Sequence, residues 1–162
     1  MRIDNFRWSG VPVYMRTGKA VDHSGIEIAI VFKSQPPILY NESGTLEKNR
    51  IVFKVQPSAG IIVDIASKVP GGDFRITNAN LAFCYRDISP GRIPDAYLKL
   101  LMDVVKGDRT LFVSAEETEL AWKVYDKVLE SGELGPYSRG EIPDSCFCSE
   151  WVDFDKYKDY CL

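Results

Sequence analysis

Few side chains in this sequence are equipped for chemistry. The segment "GVPVYMRTGKAVDHSG", Gly10 to Gly25, places Arg16 and Lys19 around a Thr-Gly turn, followed by the one histidine of the chain, His23. A lysine in a glycine-containing turn has two roles open to it. It is a solvated turn residue, or it is a compact positive charge for a ligand's phosphate. His23, in "VDHSG", has the side chain for acid–base work at neutral pH. No G-x-S-x-G elbow supplies a nucleophile for it, and its polar turn reads as a surface setting. Gln56 ends an apolar run just before Pro57, where an amide either faces the turn or hydrogen-bonds a ligand. The carboxylates show no catalytic pair by spacing. The cluster Glu116 to Glu119 falls in the first turn of an expected helix, where acidic groups complement the helix dipole. No residue is assigned a catalytic or metal-binding role.

The four cysteines are Cys84, Cys146, Cys148 and Cys161. Cys84 lies in an apolar run and reads as an inert buried thiol. Cys146 and Cys148 form a C-x-C without the further ligands of a zinc site. The N-terminus has no apolar stretch of signal-peptide type, so a cytoplasmic location is expected, and with it reduced thiols rather than a disulfide.

Positioning those residues requires strands first and helices later. "MRIDNFRW" and "VPVYMR" read as extended pieces, and "GIEIAIVFK" alternates with Ile26, Ile28, Ile30 and Phe32 on one face. "RIVFKVQP" and "GIIVDIASKV" are two strands joined by the hairpin loop Pro57 to Gly60, and "ANLAFCYR" is a further strand. The period then lengthens. Tyr97, Leu100, Leu101, Val104 and Val105 share one helical face, with Pro94 suited to the first turn and Gly107 to the C-terminal cap. Ser114 and Glu117 form a capping box for a second helix, whose apolar stripe is Ala121, Trp122, Tyr125, Val128 and Leu129, ending at Gly132. In the tail, Phe154, Tyr157 and Cys161 fall on one face of a short docked helix. The order predicts an α+β fold: a large, mostly antiparallel sheet with helices packed on one face.

The chain has 162 residues and a net charge of −3, from 20 basic and 23 acidic side chains. That balance argues against nucleic acid as the main partner. No run approaches the roughly 18 apolar residues of a membrane span. Neither a G-x-G-x-x-G after a strand nor a Walker motif is present.

Longer stretches carry a family resemblance. "RIDNFRWSGVPVYMRTGKAV", "NRIVFKVQP", "SKVPG", "PDAYLKLLMDVVKGDRTLFVSAEETELAW" and "PYSRG" stand in order and at similar spacing to the C-terminal domain of glucose-6-phosphate dehydrogenase. The resemblance assigns residues 1–140 to that domain and leaves 141–162 as a poorly matched tail. It implies a part of an enzyme that oxidises glucose 6-phosphate to the lactone with reduction of NADP, and a homodimer formed through the sheet. In the family the coenzyme and the catalytic histidine belong to a Rossmann domain, which this sequence does not match. The chain is therefore expected to be inactive alone, either paired with a separate Rossmann-domain subunit or serving as a scaffold or sugar-phosphate-binding module. Lys19 and Gln56 resemble substrate ligands, whereas Ser24 stands where the family has a basic residue. Arg139 resembles a ligand of a second, structural NADP seen in some members. Ala82 and Asp64 replace that site's acid and lysine, so no cofactor is expected on this chain.

Overall fold

The computed structural model describes residues 1–22, 24–34, 47–72, 75–88, 96–132, 135–142 and 151–161. The chain divides into two compact units, Met1–Pro90 with Ser138–Leu162, and Gly91–Tyr137. The first unit is built on a four-stranded antiparallel sheet in sequential order: β1 (Ile26–Val31), β2 (Arg50–Gln56), β3 (Gly60–Lys68) and β4 (Ile76–Cys84). β-branched residues dominate β1 to β3, and residues 57–59 connect β2 to β3 as a tight hairpin. The Gln56–Pro57 peptide is cis.

The register separates the two faces. One carries the apolar rungs Ile30–Ile51–Val63–Leu81 and Ile28–Phe53–Ile61–Phe83, each running across all four strands. The other carries Ala29–Val52–Ile62–Ala82, flanked by Lys54, Gly60 and Cys84 on one side and Arg50, Asp64 and Asn80 on the other. The chain's own C-terminal segment covers this second face. Val52, Ile62 and Tyr157 are fully buried together, with Ala29, Val152, Phe154 and Tyr160 packed around them. The segment turns through a short 3-10 helix, Phe154–Tyr157, whose first turn Asp153 caps by accepting from the Asp155 N–H. The expected docked helix is thus a single 3-10 turn that buries Tyr157, while Cys161, beyond it, is buried as well.

Three sequence expectations change. Residues 1–13 do not form strands. Asn5 Oδ1 accepts from the Trp8 N–H at 2.8 Å and closes a turn, leaving one antiparallel bridge between Arg2 and Pro12. The expected strand at 79–86 starts earlier and stops at Cys84, because Tyr85 donates its N–H to Ala59 O and the chain enters a short helix, α1 (Tyr85–Ile88). Cys84 is not a free thiol: it is disulfide-bonded to Cys161 across 77 residues of sequence. The strap brings the two Cα atoms to 5.2 Å, inside bridging range, which sequence spacing does not reveal.

The second unit holds α2 (Ala96–Lys106) and α3 (Ala115–Ser131). Gly107, at φ +72°, ends α2 in the left-handed conformation that glycine adopts without strain. Ser114 Oγ accepts from the Glu117 N–H at 3.1 Å and caps α3, as the sequence predicts. The apolar stripes remain exposed: Val105 is 88% accessible and Leu129 70%. Two helices alone have too few layers to close a core over both stripes. Among the described side chains of α2, the buried one is Asp103, paired with Lys99 at 2.8 Å. Pro94, His23, Cys146 and Cys148 lie outside the described residues.

Candidate functional site

Lys19 precedes β1 and Gln56 ends β2. Gln56, the last residue of β2, is paired with Ile26, the first residue of β1, beside a register shift. Lys19 lies on the exposed loop that leads into β1. That loop has a fixed shape. Ala20, next to Lys19, has φ +56°, a conformation that costs a non-glycine residue about 1 kcal/mol. Its carbonyl accepts from the Gly140 N–H at 2.8 Å, so the "SRG" segment holds the "RTGK" turn from outside. Ser24, exposed just before β1, supplies no positive charge there.

Arg16, three residues before Lys19, stacks its guanidinium over the Trp151 ring at 4.5 Å. Between the loop and the C-terminal segment lies a cleft of about 260 Å³, lined in part by Arg16, Asp22, Asp153 and Asp155. Three carboxylates against one guanidinium make this cleft unfavourable for a phosphate.

A second polar constellation lies beneath the C-terminal segment, and composition alone does not reveal it. Lys54, nearly buried, donates to three carbonyls of that segment: Tyr157 O at 3.1 Å, Lys158 O at 3.2 Å and Tyr160 O at 2.8 Å. The three N–H groups of the ammonium are thereby satisfied. Asp64 is fully buried. It accepts from Asn78 Nδ2 at 2.7 Å, Tyr157 Oη at 2.9 Å and Lys156 Nζ at 3.1 Å. Arg50 approaches the same carboxylate at 3.9 Å, and Lys156 also donates to Glu47 at 2.7 Å. Burial pushes the Asp64 carboxyl up. The hydrogen bonds from Asn78, Tyr157 and Lys156, with the Lys156 charge, outweigh it and hold the group below its ordinary range. Burial and the bond to Asp64 push the Tyr157 phenol up. The sequence carries a faint signal for this cluster. Lys54 and Asp64 share strand parity with Val52 and Ile62, so charged residues interrupt the apolar face of two strands.

Among the described residues, no group of three or more His, Cys, Asp or Glu is arranged to hold a metal, and no helix is long and apolar enough to cross a membrane. The cluster beneath the strap is internally satisfied and acts as an anchor.

Known proteins carry the same arrangement of strands and motifs. The family model for the C-terminal domain of glucose-6-phosphate dehydrogenase matches residues 1–145. The chain belongs to this family. The glucose-6-phosphate 1-dehydrogenase of Mycolicibacterium smegmatis is 43% identical over 128 residues, covering 78% of this chain and 26% of that protein. The chloroplastic glucose-6-phosphate 1-dehydrogenase 1 of Arabidopsis thaliana is 39% identical over 154 residues, covering 88% of this chain and 27% of that protein. A solved structure of a glucose-6-phosphate dehydrogenase in complex with its substrate glucose 6-phosphate aligns with a TM-score of 0.75 at 31% identity, over 89% of this chain and 31% of that one. The chain thus spans about a quarter of the length of the curated glucose-6-phosphate dehydrogenases it matches.

Proposed function

We propose that this chain is the substrate-binding and dimerisation part of a glucose-6-phosphate dehydrogenase, with Lys19 and Gln56 as its contacts to glucose 6-phosphate. What supports the reading is the pairing of Gln56 with Ile26, the first residue of β1, with Lys19 seven residues earlier in the chain. The ammonium meets the sugar phosphate as a point charge and the amide bonds a sugar hydroxyl. In the whole enzyme the coenzyme accepts the hydride from the anomeric carbon, and this chain's share is to bind and orient the sugar. Alone, it binds the sugar phosphate weakly and does not reduce NADP.

The residues present do not fit a dinucleotide of the chain's own. Asp64 is spent on Tyr157, Asn78 and Lys156, and the cleft beside Arg16 carries three carboxylates. A cytoplasmic homodimer is part of the same proposal. The two apolar rungs on the open sheet face form a broad surface, with Leu81 60% accessible and Ile28 54%. Such a surface is typical of an interface between copies.

Calorimetry with glucose 6-phosphate tests the site. The chain is expected to bind, and Lys19→Ala to weaken binding about 10- to 100-fold, the worth of one hydrogen bond to a charged group. Equal affinity in the variant would remove Lys19 from the site. No heat with the parent chain would favour the scaffold reading.

A further inference from the structure

The C-terminal segment is held on the sheet in two ways, and only one of them depends on redox state. Its middle is fixed by the Lys54 and Asp64 clusters. Its end is fixed by the disulfide between Cys161 and Cys84, the last residue of β4. The sheet is shaped for that end. Gly60 stands opposite Cys84 in the register, and a side chain there would collide with Cys161 Sγ and approach Phe83 O to 2.8 Å. The β3–β4 register runs over nine residue pairs, only one of which, Gly60–Cys84, involves a bonded cysteine. Both cysteines are buried, at 8% accessibility, so a reductant reaches the bond when the end of the segment opens locally. The other end of the segment, Trp151, rests on Arg16 in the Lys19 loop.

We propose that Cys84 and Cys161 form a reversible redox clasp that closes residues 151–161 over the sheet and, through Trp151 and Arg16, steadies the 16–22 loop. A dithiol reductant opens the clasp by thiol–disulfide exchange. The Cys84–Cys161 bond breaks, each sulfur takes one proton, and the two electrons come from the dithiol, which leaves as its own disulfide. Reduction returns to the segment the freedom that a bridge spanning 77 residues removes. The polar anchors then hold the strap alone, and it opens more often while the sheet stays paired. This step does not rest on the role of Lys19 in substrate binding.

The test is hydrogen–deuterium exchange read by mass spectrometry on the full chain, before and after dithiothreitol and again after reoxidation with oxidised glutathione. Peptides from β2, β3 and α2 serve as references. The expected result is exchange at least about tenfold faster in 151–161 on reduction, with a smaller rise in 16–22, unchanged β2 and β3, and full reversal on reoxidation. Cys161→Ser is expected to exchange at the reduced rate in either condition. Should that variant not fold, the parent chain with and without dithiothreitol carries the test. Three results would each overturn the proposal. One is alkylation of both Cys84 and Cys161 before reduction. Another is unchanged strap exchange in chain shown by alkylation to be reduced. The third is a loss of protection spread equally over β2 and β3, the mark of a purely structural staple.

Discussion

Asp64 shows how one side chain links sequence to stability. Its carboxylate sits where a strand's alternation calls for an apolar residue, and it is tolerated because Asn78, Tyr157 and Lys156 all donate to it. Since these partners hold its pKa below the ordinary 3.8, its folded form binds fewer protons than the unfolded chain in the acid range. The resulting stability is fully present above the unfolded value. It is lost as pH falls through the still lower folded value. Thermal melts taken from pH 6 to pH 2 are therefore expected to show an acid-side drop that Asp64→Asn flattens. At neutral pH, Asp64→Ala removes the acceptor of the buried Tyr157 hydroxyl and one of the two acceptors of Lys156, and a loss of about 1–3 kcal/mol is expected in denaturant unfolding. An equal acid-side slope in the parent and Asp64→Asn would show that other carboxylates govern it.

At the scale of elements, α3 and the C-terminal strap behave oppositely. α3 is local. Ser114 caps it, Glu116 and Glu117 suit its N-terminal dipole, and its boundary was readable from an S-x-x-E pattern. Ser114→Ala is expected to cost the helix about 1 kcal/mol, visible as reduced helical signal on heating. The strap is non-local. Its 3-10 turn is four residues long, too short to persist without the sheet, and Lys54 reaches it across 103 residues of sequence. Its aromatic spacing hinted at one docked face. The partners of that face were beyond any local pattern.

At the scale of the whole molecule, the two sheet faces have different fates. One is closed by the strap, while the other presents Ile28, Ile30, Leu81 and Phe83 to solvent in the single chain. Leu81→Asp is expected to abolish the proposed dimer without unfolding the sheet, because Leu81 is already 60% accessible. Sedimentation at high micromolar concentration reads this directly. A monomeric parent chain would overturn the dimer, and a dimeric Leu81→Asp chain would move the interface elsewhere. The chain's family membership belongs to this scale too, since it rests on a match running from residue 1 to residue 145.

The sequence by itself determined the β2–β3 hairpin, the core of β1, the two long helices, the Ser114 cap and the motifs that mark the family. Each of these is written in neighbours a few residues apart, through strand alternation, helical period and turn chemistry. Its extended reading of residues 1–8 and 11–16 yields only a short antiparallel contact of residues 1–2 with 12–13, because a turn capped by Asn5 outcompetes weak alternation between them. Only the tertiary structure decided that Cys84 is bonded to Cys161, that Lys54 and Asp64 anchor the tail, and that Gln56 stands opposite Ile26. Those facts depend on strand register and on a segment returning across the sheet. A pairing between residues far apart in sequence leaves no periodic trace in either one.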